Sequence, residues 1–106
     1  MFLSGDIWKI KLYPTKGSEQ DGIRPCIIIS PKTMNEALLT IIVIPMTTQL
    51  KNWPTRIEIQ FDNKKGQACI EHIRSVSKER FIEKLGSVSD IELSIIEKRL
   101  QATFSP

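Results

Sequence analysis

One stretch of the sequence gathers groups able to hold a phosphate. Gly17-Ser18-Glu19-Gln20-Asp21-Gly22-Ile23-Arg24-Pro25 places a carboxylate, an amide, two glycines and an arginine directly before an apolar run. Arginine at the start of a strand can be held rigidly and can pair with phosphate through its planar fork. Glycine lets a backbone come close to a ligand. By spacing alone, the same residues also describe an ordinary solvated loop with a structural ion pair. Other chemistries are poorly served. The one histidine, His72, excludes a two-histidine acid–base ribonuclease within one chain. No Ser/His/Asp or Cys/His signature, phosphate-binding Walker loop or dinucleotide glycine motif is visible. No His/Cys cluster has metal-ligand spacing, so no metal or other cofactor is expected. His72, beside Glu71 in a strand-like run, reads first as a structural or surface histidine.

The elements that must position this loop are mostly strands. Ile7–Leu12 is rich in strand formers, and residues 14–22 have loop composition. Cys26–Ile29 is a short β-branched run of the kind found in central strands, ended by Pro31. Leu38–Ile44 reads as a second buried strand, stopped by Pro45. Residues 47–54 form a polar loop. Arg56–Phe61 alternates polar and apolar residues, predicting a strand with one wet face. Residues 62–66 read as a turn, and a further strand begins at Ala68 and runs towards Ile73. The period then changes. Ser89 and Glu92 form a capping box. Leu93, Ile96, Leu100 and Phe104 recur at helical spacing behind it. Five or more short strands followed by one helix predict a mainly β fold, a small antiparallel barrel closed by a C-terminal helix.

The chain of 106 residues suits a single domain spanning 1–106, with 41% apolar and 25% charged residues. A core this small favours association, so a homodimer is expected. The net charge of +3, from 15 basic and 12 acidic residues, permits a polyanionic partner without demanding one. The amino terminus lacks the basic leader and apolar length of a signal peptide, and no apolar run spans a bilayer. A cytoplasmic protein with no membrane association is expected. Cys26 and Cys69 each lie in an apolar run and read as buried packing residues.

Several segments, in order, resemble the MazF/PemK family of toxins from bacterial toxin–antitoxin systems. They are Gly5-Asp6-Ile7-Trp8, residues 14–20 (PTKGSEQ), Gly22 with Arg24-Pro25, Pro45-Met46-Thr47-Thr48-Gln49, Glu71-His72-Ile73-Arg74-Ser75, and Lys84-Leu85-Gly86. The match covers nearly the whole chain and is weakest between Lys32 and Leu39. The resemblance implies an SH3-like barrel of the MazF/CcdB type, working as a dimer. It implies metal-independent cleavage of single-stranded RNA at short sequences, leaving a 2′,3′-cyclic phosphate and a 5′-hydroxyl. It assigns catalytic roles to Arg24, Thr47 and Glu19. Glu19 would take the 2′-hydroxyl proton, Arg24 would stabilise charge on the phosphoryl oxygens, and Thr47 would position the phosphate. The resemblance also implies a cognate antitoxin with an acidic C-terminal tail.

RNA-binding candidates are Gln20, Gly22, Thr48, Gln49, Lys51, Asn52 and Trp53. The amides can read base edges, and Trp53 can either stack on an unpaired base or pack against Pro54. Two departures from the family pattern matter. Some relatives carry an Arg-x-Asp pair on a later strand, and the matching residues here are Cys69 and Glu71. The usual glutamine after the acid is His72. Glu71 and His72 are therefore secondary candidates. The rival readings are a non-catalytic CcdB-like toxin and a plain SH3-like barrel that binds nucleic acid or protein.

Overall fold

The buried strands follow the apolar pattern of the sequence. The computed structural model describes residues 1–12 and 22–105. The strands are β1 (Asp6–Lys11), β2 (Ile23–Ile28), β3 (Thr40–Thr47), β4 (Arg56–Phe61), β5 (Lys64–Cys69), β6 (Arg74–Ser77) and β7 (Phe81–Ser87). Helix α1 (Lys32–Ala37) joins β2 to β3, and helix α2 (Asp90–Thr103) closes the chain. All the pairings are antiparallel, in the order β4-β5-β3-β2-β1-β7, with β6 also on β3. The sheet curls into a half-barrel around two apolar clusters. Ile7, Ile27, Ile44, Met46 and Ile59 surround Ile96 of α2, while Ile10, Leu12, Cys26, Ile28, Val43 and Val76 form the other.

Strand β3 is the axis of the sheet, and its path corrects the expectation that Pro45 ends it. On one edge β3 pairs with β2. On the other it pairs first with β6, through Thr40–Val43, and then with β5, through Met46 and Thr47. The Ile42 carbonyl accepts from Ile29 N on the β2 side at 3.0 Å. Hydrogen-bonding direction alternates along an antiparallel strand, so Pro45, three residues on, faces the β6/β5 edge. It falls at the change of partner, where a missing N–H leaves no ladder bond unmade. The strand therefore continues through Pro45 and carries Thr47 to its end.

Three other expectations shift. Strand β2 begins at Ile23, so Arg24 and Pro25 belong to a strand. Strand β5 starts at Lys64 and stops at Cys69. Residues Ile70–His72 form a 3-10 turn, so His72 is not in a strand. Helix α1 occupies the segment where the family resemblance is weakest. The buried Asn35 ties it down, donating to the Phe2 carbonyl at 2.9 Å and the Ser30 carbonyl at 3.0 Å.

Helix α2 has the expected capping box. Ser89 Oγ accepts from Glu92 N at 3.1 Å, and Glu92 Oε1 accepts from Ser89 N at 2.9 Å. The second oxygen of Glu92 accepts from Gln60 N at 2.9 Å, fastening the helix start to β4. Leu93, Ile96 and Leu100 face the core as their spacing predicts, while Phe104 lies beyond the helix end and is exposed. Among the described residues, no helix is long and apolar enough to cross a membrane.

Candidate active site

The β2 start and the β3 end bring Arg24 and Thr47 to one open cleft of about 220 Å³. Pro25, Thr48, Lys64 and Lys65 line it as well, with Met46, Phe61 and one carboxylate, Asp62. Gly66 allows the close approach of β5 to β3 here. A Cβ at that position would come within 3.1 Å of the Thr47 carbonyl oxygen. The Asp62–Asn63 turn, with φ of 55° and 58°, then brings Lys64 and Lys65 back along the cleft.

Arg24 is exposed and has no carboxylate partner among the described residues. Lys65 is shared with Glu58 at 3.6 Å, and Lys64 has no acidic partner among the described residues. Thr47 Oγ1 accepts from Gln49 N at 3.1 Å. Its hydroxyl proton therefore remains available to an incoming oxygen. An exposed guanidinium, a hydroxyl donor and lysine ammoniums around one hollow can hold a phosphodiester and the extra charge it gains during displacement.

Gly22 sits at the base of the first loop, and its backbone conformation calls for glycine. Its φ is +73° and nothing lies within 4 Å of where a Cβ would stand. Its carbonyl accepts from Leu12 N at 2.7 Å, so the glycine supplies a left-handed turn at the base of the first loop. Arg74 reinforces this base, donating from Nη1 to the Leu12 carbonyl at 3.3 Å. The roles read for Glu19 and Gln20 lie outside the described residues.

Beside the cleft is a second cluster, built on Arg56. Its guanidinium donates through Nε to Glu71 Oε2 at 2.7 Å. Its Nη1 donates to the Gln49 carbonyl at 3.1 Å and to Gln67 Oε1 at 3.2 Å. It also lies 4.7 Å from the Trp53 ring centre. Arg56 is the register partner of Cys69, the position where the arginine of the relatives' Arg-x-Asp pair would stand. Gln67 is the register partner of Thr47, which puts their side chains on one face of the sheet.

Glu71 and His72 do not line the cleft. Burial alone would raise the Glu71 carboxyl. Hydrogen bonds from Arg56, Thr55 and its own backbone, with the Arg56 charge, outweigh burial and hold it below the ordinary carboxylate range. A carboxylate held that low is a weak base at neutral pH. His72 Nε2 stands 3.9 Å from the same Glu71 oxygen. Both cysteines are buried thiols. Burial pushes the Cys26 thiol up to about 12, against the opposing charges of Arg74 and Arg24. It is not an available nucleophile.

The RNA-binding candidates Thr48, Gln49, Lys51, Asn52 and Trp53 are all exposed, on the loop between β3 and β4. Residues to which sequence reasoning gave no role at the site are Lys64, Lys65, Gln67 and Arg74. Gln67 carries no local signal, because its role depends on which strand lies opposite. Arg74 belongs to a segment that resembles the family but was given no role there.

The fold is a small half-barrel whose central strand ends in a cleft where three cations, Arg24, Lys64 and Lys65, outnumber one carboxylate, Asp62. The chain belongs to the family described as PemK-like, MazF-like toxins of type II toxin–antitoxin systems, whose model matches residues 3–104. It is similar to the endoribonuclease toxin MazF of Escherichia coli K12, with 32% identity over 97 residues, covering 91% of this chain and 87% of that one. Its fold matches the crystal structure of MazF from Deinococcus radiodurans, with a TM-score of 0.84 and 23% identity over 95% of this chain and 94% of that one. It also matches a mycobacterial endoribonuclease solved with its cognate antitoxin, with a TM-score of 0.79 and 21% identity over 94% and 91% of the two chains.

Proposed function

We propose that the protein is a toxin endoribonuclease that cuts single-stranded RNA at short sequences, acting as a single domain in the cytoplasm. The observation that carries this reading is the meeting of Arg24 and Thr47, from different strands, in one cation-lined cleft. In the proposed reaction the ribose 2′-hydroxyl attacks its own phosphorus and the bond to the 5′-oxygen breaks. The products are a 2′,3′-cyclic phosphate and a 5′-hydroxyl. Arg24 stabilises the charge that builds on the phosphoryl oxygens, and Thr47 donates a hydrogen bond that positions the phosphate. Glu19 takes the 2′-hydroxyl proton. Arginine keeps its proton at all ordinary pH, so water protonates the leaving oxygen.

Bases splayed from a single strand meet Gln20, Thr48, Gln49 and Asn52, with Gly22 and Lys51 near the backbone and Trp53 available for stacking. A homodimer is part of the proposal. Ile82 and Leu85 on edge strand β7, and Ile91 and Ile95 on α2, are exposed apolar residues that a second copy would cover. An antitoxin with an acidic C-terminal tail would occlude the cleft by matching its cations at Arg24, Lys64 and Lys65.

The direct test is incubation of the pure protein with a long RNA in the presence of a chelator, followed by analysis of the new ends. Cyclic phosphate and 5′-hydroxyl ends are expected. Intact RNA would contradict the reading and favour a non-catalytic CcdB-like toxin or a binding barrel.

A further inference from the structure

The loop between β3 and β4 has little apolar anchorage of its own. Leu50, Lys51, Asn52, Trp53 and Pro54 are all exposed. Polar bonds shape it instead, from the sheet below and from Arg99 of α2, which donates to the Pro54 carbonyl. Gln67 grips both backbone groups of Lys51, accepting from its N–H through Oε1 and donating to its carbonyl through Nε2, each at 3.0 Å. Arg56 bonds the same Gln67 oxygen, takes the Gln49 carbonyl and lies against Trp53. Its backbone N–H donates to the Trp53 carbonyl at 3.1 Å. Glu71 anchors the guanidinium from the far side.

The Arg56 side chain is only 7% exposed, so it is turned inward and its donors serve the protein. We infer that Arg56 is a positioning residue that, with Gln67, fixes this loop in the shape that reads RNA, setting substrate affinity and cut-site choice rather than the chemical step. The inference rests on the RNA-cutting reading proposed above. The fork geometry is essential to it. One planar group serves Glu71, Gln49 and Gln67 at once through a fixed fork, which a lysine ammonium cannot reproduce. Gln67 sits directly across from Thr47, so the same brace holds the loop in register with the cleft.

The test combines amide hydrogen exchange with cleavage kinetics on Arg56→Ala, Arg56→Lys and Gln67→Ala. In Arg56→Ala and Gln67→Ala, the Lys51 amide should exchange faster while core strand amides keep their protection. If the loop then holds its reading shape about a tenth of the time, KM rises about tenfold. At saturating RNA, kcat should stay within about threefold of wild type, and additional cut sites should appear. Arg56→Lys should behave like Arg56→Ala. If Arg56→Ala fails to fold, Gln67→Ala carries the test. A loosened loop with unchanged KM and cut sites would overturn the inference, as would an unloosened loop. A fall in kcat at unchanged KM would also overturn it, by moving Arg56 into the chemistry. If wild type cuts no RNA, the functional reading falls and takes the inference with it; if wild type cuts and the variants match it, only the inference falls.

Discussion

Arg24 and Arg56 stand in neighbouring parts of one sheet under opposite conditions. Arg24 is exposed at the start of β2, without a carboxylate partner among the described residues. Arg56 is turned inward at the start of β4, bonded to Glu71, Gln49 and Gln67 and lying over the Trp53 ring. Interactions already satisfied in the free protein are costly to give up to a ligand, whereas an unpaired cation in water is ready to meet an anion. On the proposed reading, the difference separates a residue available to a substrate from one used to shape the molecule. It also explains why the net charge of +3 is a poor guide to the site.

The largest effect should come from the exposed arginine. Arg24→Ala should lower kcat by about a hundredfold to a thousandfold, on the scale seen when a fixed oxyanion donor is removed. Its unfolding free energy should stay within about 0.5 kcal/mol of wild type, because exposed side chains contribute little. Chemical denaturation beside a cleavage assay checks both. A folded Arg24→Ala with near-normal activity would erase the contrast with Arg56. Thr47→Ala should cost less, about tenfold in rate, for one lost hydrogen bond.

The buried side of the comparison is sharpened by pH. The Glu71 carboxyl is lowered in the folded protein, so folding favours its ionised form. That stabilisation is complete above the ordinary value of 4.5 and is lost as pH falls through the lowered folded value. Glu71→Gln should be less stable than wild type by about 1 kcal/mol at neutral pH, a modest figure because the carboxylate is partly open to water. The two proteins should converge as pH falls through the lowered folded value, as read by denaturant midpoints. A constant gap across that range would remove the ion pair from the account. The smallest effect concerns Cys26. With its thiol pushed up to about 12 and buried, it should resist alkylation by iodoacetamide at about pH 8 in the native state and react only on unfolding. Mass spectrometry of the labelled peptides reads this directly.

Regular patterns were legible in the sequence wherever a single element decided them. Strand β4 alternates over Arg56–Phe61 and appears with those bounds, and the Ser89–Glu92 capping box sits at the start of α2. Strands β6 and β7 were not legible, because Arg74–Ser77 and Phe81–Ser87 are short or largely exposed and owe their extended form to β3 and β1. Pro45 looked like a strand end, and only the exchange of partners along β3 accounts for its place within the strand. The same limit applies to the site. Arg24 and Thr47 were found through motifs that resemble a family. Arg56 stood only as the first polar residue of an alternating strand, since its partners Gln67 and Glu71 come from other elements, and nothing near it in sequence indicates burial.

The central claim is that the cleft uses the substrate's own 2′-hydroxyl to cut RNA. A single-stranded oligonucleotide carrying 2′-deoxyribose only at the scissile position, compared with its all-ribose parent, tests it most directly. The parent should be cut and the deoxy copy should remain intact at that bond; cleavage of the deoxy copy as fast as the parent would contradict the mechanism.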